Sequence, residues 1–286
     1  MLRVNQGYIV VKEVNFNEVK SNYYFEKKHN GESRFAIVIA TPKNSILKPN
    51  DTIIHDKCIM YFEAPDLGEK CYYIQEKEIK SKVVNGDIVS FRESVYVDAD
   101  KEANYEINIG SLKLKKDVEY DEFSIYNRTQ HGRVVAVPLT ATNSYLKEDN
   151  ELEIDLKKND IVYTHHFLTH NDNERIINGK RVFEIRYEEC FCRERDGLIT
   201  MLNEWNLIEP IDEDESKLKI GDFYLKNKLE KEANLGLVIY PCDNLELLGA
   251  GKGEKVLFKK DRDYPIIVQN KLYYRINTRD IVAVNI

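Results

Sequence analysis

Tyr73-Ile74-Gln75-Glu76-Lys77-Glu78-Ile79 is a phrase that the 286-residue chain uses three times. It returns as Phe183-Glu184-Ile185-Arg186-Tyr187-Glu188-Glu189-Cys190 and as Tyr274-Arg275-Ile276-Asn277-Thr278-Arg279-Asp280-Ile281. In each copy an Ile is followed four residues on by an acid (Glu78, Glu189, Asp280) and five residues on by Ile79, Cys190 or Ile281. Working outward, a second phrase precedes the first two copies: Leu47-Lys48-Pro49-Asn50-Asp51-Thr52-Ile53-Ile54 and Leu156-Lys157-Lys158-Asn159-Asp160-Ile161-Val162-Tyr163. The third copy keeps a degraded form, Gly251-Lys252-Gly253-Glu254-Lys255-Val256-Leu257-Phe258. A polar turn that delivers the chain into a β-branched run is the usual entry to a strand. Further upstream lie Phe35-Ala36-Ile37-Val38-Ile39-Ala40-Thr41-Pro42, Arg133-Val134-Val135-Ala136-Val137-Pro138 and Leu237-Val238-Ile239-Tyr240-Pro241. Each reads as a buried strand stopped by proline, which has no N–H for a sheet ladder.

Internal repetition at this period sets the organisation before any single element does. It predicts three domains, 1–86, 87–197 and 198–286, each close to the lower size at which one core is self-sufficient. Short apolar runs between frequent turns, with little helical periodicity outside Lys226–Asn234, make the expected class all-β, a small barrel in each copy. Proline is scarce at 7 residues, and no Ser- or Gly-rich linker separates the copies, so direct packing between them is expected.

Composition narrows the function. No stretch approaches the ~18 apolar residues of a membrane span, and the N-terminus lacks a basic-then-apolar leader, which points to a cytoplasmic protein with no membrane partner. Five cysteines without framework spacing fit a reducing compartment. A net charge of -7 disfavours general nucleic-acid binding, which needs a basic surface; Lys113, Lys115 and Lys116 are the best local cluster and read as a solvated loop.

Chemical motifs are few. Gly249-Ala250-Gly251-Lys252-Gly253 resembles part of a phosphate loop but lacks the Ser or Thr and the helix that such a loop needs, and reads as a turn. His165, His166 and His170, with Asp172 and Glu174, are the only histidine cluster. On an extended chain His165 and His166 point to opposite faces, so a solvated hairpin is expected there instead of a metal site. Cys190 and Cys192 read as small buried apolar residues, and the lone Trp205 as a core cap. The expectation is a chain with no enzymatic activity, no cofactor and no metal.

The order of elements resembles the GroES-type co-chaperonin. The resemblance rests on an opening strand, a long polar loop with an apolar island, a turn into a β-branched strand, a hairpin and a closing strand. Arg279-Asp280-Ile281-Val282-Ala283-Val284 and Lys158-Asn159-Asp160-Ile161-Val162-Tyr163 are the nearest matches, and the likeness extends over the chain when taken three times. It implies three tandem GroES-like β-barrels. It also implies partner-binding islands at Tyr23, Tyr24 and Phe25, at Phe123, Ser124 and Ile125, and at Phe223, Tyr224 and Leu225. An apolar island in a charged loop can bury itself in a partner's groove. The partner implied is chaperonin-like. A viral capsid or tail component that reuses the barrel is the alternative, with the virion as its location. The family's strand pairing between neighbours implies that Lys80–Val89 and Arg193–Leu202 join adjacent barrels. Two edges are then left for homo-oligomerisation: Tyr8–Val14, with Ile9 and Val11, and Asp280–Ile286, with Ile281, Val282 and Val284.

Overall fold

The structure is a computed structural model and describes residues 7–14, 34–55, 61–100, 107–109, 112–114, 129–142, 151–170, 173–177, 180–211, 219–220, 223–224 and 233–284. The described residues are mostly strand, with one short α-helix, α1 (Asp243–Leu247), and the all-β class holds. Three antiparallel sheets of seven, seven and six strands account for nearly all of them.

The first sheet contains β1 (Tyr8–Glu13), β2 (Arg34–Ala40), β3 (Thr52–His55), β4 (Tyr61–Glu63), β5 (Cys71–Gln75), β6 (Ser81–Val84) and β7 (Asp87–Ser90), in the order β4-β5-β1-β2-β3-β6-β7. The second contains β8 (Ser94–Asp98), β11 (His131–Ala136), β12 (Ile161–Tyr163), β13 (Glu174–Ile177), β14 (Lys180–Arg186), β15 (Cys192–Arg195) and β16 (Leu198–Met201). A small ribbon of β9 (Ile107–Ile109) and β10 (Leu112–Leu114) interrupts it. The third contains β17 (Trp205–Pro210), β20 (Ala233–Tyr240), β21 (Lys255–Lys259), β22 (Tyr264–Val268), β23 (Lys271–Asn277) and β24 (Ile281–Val284), in the order β22-β23-β17-β20-β21-β24. Its ribbon is β18 (Lys219–Ile220) with β19 (Phe223–Tyr224).

The repeat seen in sequence is a repeat of backbone detail. The phrase around Ile74, Ile185 and Ile276 is a strand that ends in one 3-10 turn, at Glu76–Glu78, Tyr187–Glu189 and Thr278–Asp280. Its flanking apolar residues Ile74, Ile79, Ile185, Cys190 and Ile276 are buried. The first N–H of each turn donates to a residue at positive φ just before or at the start of the opening strand. The pairs are Glu76 to Gly7 (2.9 Å), Tyr187 to Glu93 (2.7 Å) and Thr278 to Glu204 (3.0 Å).

The second phrase places Asn50, Asn159 and Gly253 at positive φ, a conformation that Asn tolerates and Gly adopts freely. Their N–H groups donate to the carbonyls of Val38, Val134 and Val238, each at 2.8 Å. The next residue in every case, Ile39, Val135 or Ile239, is an extra residue bulged out of the ladder with the opening strand. A bulge turns the strand and sharpens its twist, so turn and bulge together curl each sheet at the same point.

By packing, the chain divides into two compact units, residues 1–99, 133–159 and 168–188, and residues 100–132, 160–167 and 189–286. In the first unit Ile9, Val11, Val38, Ile53, Ile74 and Phe91 share one core, although β5 and β3 stand three strands apart, so the sheet folds over on itself. A second core there joins Ile54 and Val83 of the first sheet to Tyr96, Ala136, Ile177 and Val182. In the second unit Ile208, Val238, Leu245, Val256, Phe258 and Ile276 form the equivalent interior. Another core joins Tyr163, Phe191 and Cys192 to Leu207, Ile266 and Tyr273. Leu207 and Ile208 are adjacent yet serve different cores, so β17 is buried on both faces.

Close approach of the curled sheet restricts Gly236 on β20, the counterpart of Ala36. A Cβ there would lie 2.2 Å from Ile208 Cγ2 and 3.2 Å from the Glu209 carbonyl oxygen. Gly236→Ala is expected to destabilise the second unit by about 1–3 kcal/mol, read as a lower urea midpoint with an unchanged slope.

Two expectations about edges are corrected. β1 is bonded to β5 on one side and β2 on the other, and Ile9 and Val11 are buried, so Tyr8–Val14 offers no free ladder. Lys80–Val89 and Arg193–Leu202 do not tie neighbouring sheets together. They form the hairpins β6–β7 and β15–β16, each extending its own sheet. The cause is local: Asn85-Gly86 and Asp196-Gly197 take positive φ at both central positions, the geometry of a two-residue hairpin turn. The sheets therefore change over between Ser90 and Ser94 and between Met201 and Trp205, a few residues beyond the limits read from sequence.

Candidate functional site

Topology puts the three apolar islands on the same kind of connection. Residues 23–25 fall between β1 and β2, residues 123–125 between β8 and β11, and residues 223–225 between β17 and β20. Each joins the first strand of a sheet to its neighbour across the bulge. Tyr23, Tyr24, Phe25, Phe123, Ser124, Ile125 and Leu225 lie outside the described residues; Phe223 and Tyr224 form β19, whose backbone pairs with Ile220 and Lys219. Lys115 and Lys116 are also outside, and Lys113 is in β10.

Of the expected assembly residues, Ile281, Val282 and Val284 are on β24, the last strand in the order of its sheet. β24 pairs with β21, through Val284 to Val256 and Ile281 to Phe258, and Val282 is half exposed. The strand carries no charge and no proline, the devices that commonly blunt a sheet edge.

The densest polar and aromatic grouping was not foreseen, and it is centred on Tyr264 at the start of β22. The Tyr264 hydroxyl accepts the His166 backbone N–H at 2.9 Å and lies 2.5 Å from His166 Nδ1. Gln130 Nε2 reaches the same oxygen at 3.4 Å. Two donors already point at this oxygen, so its own proton goes to Nδ1, and His166 is held as the neutral ring protonated on Nε2. Gln130 also donates to the Pro265 carbonyl (3.2 Å) and accepts the Ile267 N–H (3.0 Å). Its carboxamide thus supplies the two bonds a neighbouring strand would have made to the edge of β22.

Around this hub the rings stack. His165 lies 4.4 Å from the Tyr264 centroid and 4.7 Å from that of Phe167. The Arg275 guanidinium sits 3.9 Å from the ring of Trp205, 4.3 Å from Phe191 and 4.8 Å from Tyr264. Cations over aromatic faces gain from the ring quadrupole, more so when water is excluded. The Trp205 indole N–H is buried with no hydrogen-bond partner among the described residues.

Burial sets the electrostatics. Desolvation, with His166 and Arg275 adding to it, pushes the His165 imidazole down to about 3. His131, whose ring is tilted against that of Tyr163, is also lowered by burial, against the opposing pull of Glu194 and Asp100. Burial raises Tyr264, and it raises Tyr163, whose hydroxyl donates to Glu194 at 2.8 Å.

The remaining chemical candidates are engaged structurally. The His165 and His166 rings are committed to Tyr264, and the His170 carbonyl caps the turn at Asn173. Cys190 and Cys192 are fully buried, and burial raises both thiols. Among the described residues no three His, Cys, Asp or Glu side chains converge as for a metal ion. Residues 249–253 leave α1 and turn into β21, with Gly253 as the positive-φ residue of the repeated turn. Compared with protein-family models and with curated proteins, the chain finds no match.

Proposed function

We propose that the chain is a non-enzymatic binding and assembly protein made of three tandem GroES-like barrels, acting as a co-chaperonin-like module. On this reading its apolar loop islands engage a chaperonin-like partner, and the sheets are the scaffold that carries the loops. The observation that carries it is the common position of the islands, all three on the connection that leaves the opening strand of a sheet. Scaffold features recur closely in the three copies, whereas these connections differ in length and sequence. That is the distribution expected where loops bind and sheets support them.

Replacing Phe223, Tyr224 and Leu225 together with Ser tests the proposal. Capture of the partner from the native host should be abolished, while far-UV circular dichroism and the thermal midpoint stay as in the parent. Unfolding of the triple variant would mean that the residues belong to the core, and the docking role would fall. A structural role, as in a capsid or tail, is a second reading, and the uncharged edge of β24 favours it, since such an edge accepts further strands.

A further inference from the structure

Thr164–Phe167 leaves β12 and lies against β22 and β23 within the second unit. The Thr164 N–H donates to the Gln130 carbonyl (2.8 Å), and the His166 N–H donates to Tyr264. The two imidazoles then cover Tyr264, whose other contacts include the Arg275 guanidinium. This arrangement works only while both rings are neutral. A proton on His166 Nδ1 would confront the hydroxyl proton it now accepts. A proton on His165 would put a second cation beside Arg275 at a partly buried site.

We propose that Thr164–Phe167 is an acid-released latch: neutral His165 and His166 hold it on Tyr264, and their protonation frees it and uncovers the ring of Tyr264. This rests on the second unit alone and is independent of loop docking.

The groups facing His165 from every side act in one direction. His166 on its own segment and Arg275 on β23 both oppose a proton, and Tyr264 on β22 is neutral, its phenol raised by burial. Gln130 on the preceding segment carries no charge, and the Glu194 and Asp100 carboxylates act on His131 instead. The sign of the pH dependence follows. A released imidazole takes its proton near pH 6.5, whereas the latched His165 resists until about 3. The closed state is therefore fully favoured above about pH 6.5 and loses ground as the pH falls from there toward 3. Acid would thus expose the Tyr264 ring without dismantling the sheets.

Trp205 is the only tryptophan in the chain and shares the Arg275 guanidinium with Tyr264, so its emission reports on the surroundings of the ring that the latch covers. In the full chain, titration from neutral to acid should give a reversible red shift of Trp205 emission between about pH 6.5 and about 3, with the far-UV spectrum unchanged across the same range. His165→Phe keeps the stack without the charge, and His166→Asn keeps an acceptor for the Tyr264 hydroxyl. The double variant should show no shift in that range. Should the double variant misfold, the ring C–H resonances of His165 and His166 in the parent decide. They must titrate together with the Trp205 transition. Emission that stays constant until the sheets are lost, a transition unchanged in the double variant, or histidines that titrate apart from it would each overturn the latch.

Discussion

Glu184→Ala is expected to destabilise the first unit by about 3–5 kcal/mol, the largest effect of any single substitution considered for this chain. The Glu184 carboxylate is buried on β14, where it accepts from Arg175 Nε at 3.0 Å and from Ser94 Oγ at 2.8 Å, with Lys80 Nζ at 3.7 Å. Arg175 is itself about nine-tenths buried. Removing the carboxylate leaves a guanidinium in the protein interior without this counter-charge, which costs far more than the intact pair contributes. The size of the effect therefore depends on the partner. Glu184→Met with Arg175→Met should recover most of the loss, because neither charge is then stranded. Urea denaturation of the two single variants and the double variant measures the coupling, and additive effects would show that the ion pair is not the cause.

Asn206→Ala should cost the second unit about 3 kcal/mol. Asn206 is wholly buried in β17, where the first two sheets have Ile9 and Val95. Its amide donates to the Ile276 carbonyl at 3.2 Å and to Thr278 Oγ1 at 3.0 Å, and its oxygen accepts the Cys242 N–H at 2.8 Å. One side chain thus ties the opening strand to the 3-10 turn and to the residue that precedes α1. Alanine would leave the buried Cys242 N–H without its acceptor, remove a donor from the Ile276 carbonyl and open a small cavity. Asn206→Val, which imitates the second sheet, should be no better, since volume is restored and the buried Cys242 N–H still lacks its acceptor. A valine variant as stable as the parent would show that packing alone matters at this position.

Much of the scaffold was legible in the chain because local rules and tertiary packing agree there. The repeated phrase has an apolar residue on each side of a charged step, and that spacing matches a strand, one 3-10 turn and a return. The Asn-Asp phrase was equally readable, since Asn is among the few residues that settle at positive φ. Even the degraded Gly253 copy performs the same bond to a valine carbonyl. The hairpins at Asn85-Gly86 and Asp196-Gly197 carried an equally clear signal, and reading it would have prevented the misplacement of the two junctions.

The candidate site was far less legible. Glu184 and Arg275 occupy the same place in the repeated phrase, just before Ile185 and Ile276, and a charge amid apolar neighbours is the only hint they give. Tyr264, Gln130 and His166 are far apart in the chain, and nothing in their local sequence marks them as partners. The histidine pair was read as a solvated hairpin because an extended chain sends adjacent side chains to opposite faces. A non-strand turn after β12 brings both rings onto Tyr264 instead.

By itself the sequence determined the class of the fold, its threefold repetition and the turns that punctuate it, since each depends on residues within a few positions of one another. Only the tertiary structure decided that β1 is an interior strand. That outcome depends on which ladders form on both sides of it, and Ile9 and Val11 read alike on an edge or inside. It alone also joined Tyr264, His165, His166, Gln130 and Arg275, because the strands that carry them meet through long-range pairing and burial, to which no local preference contributes.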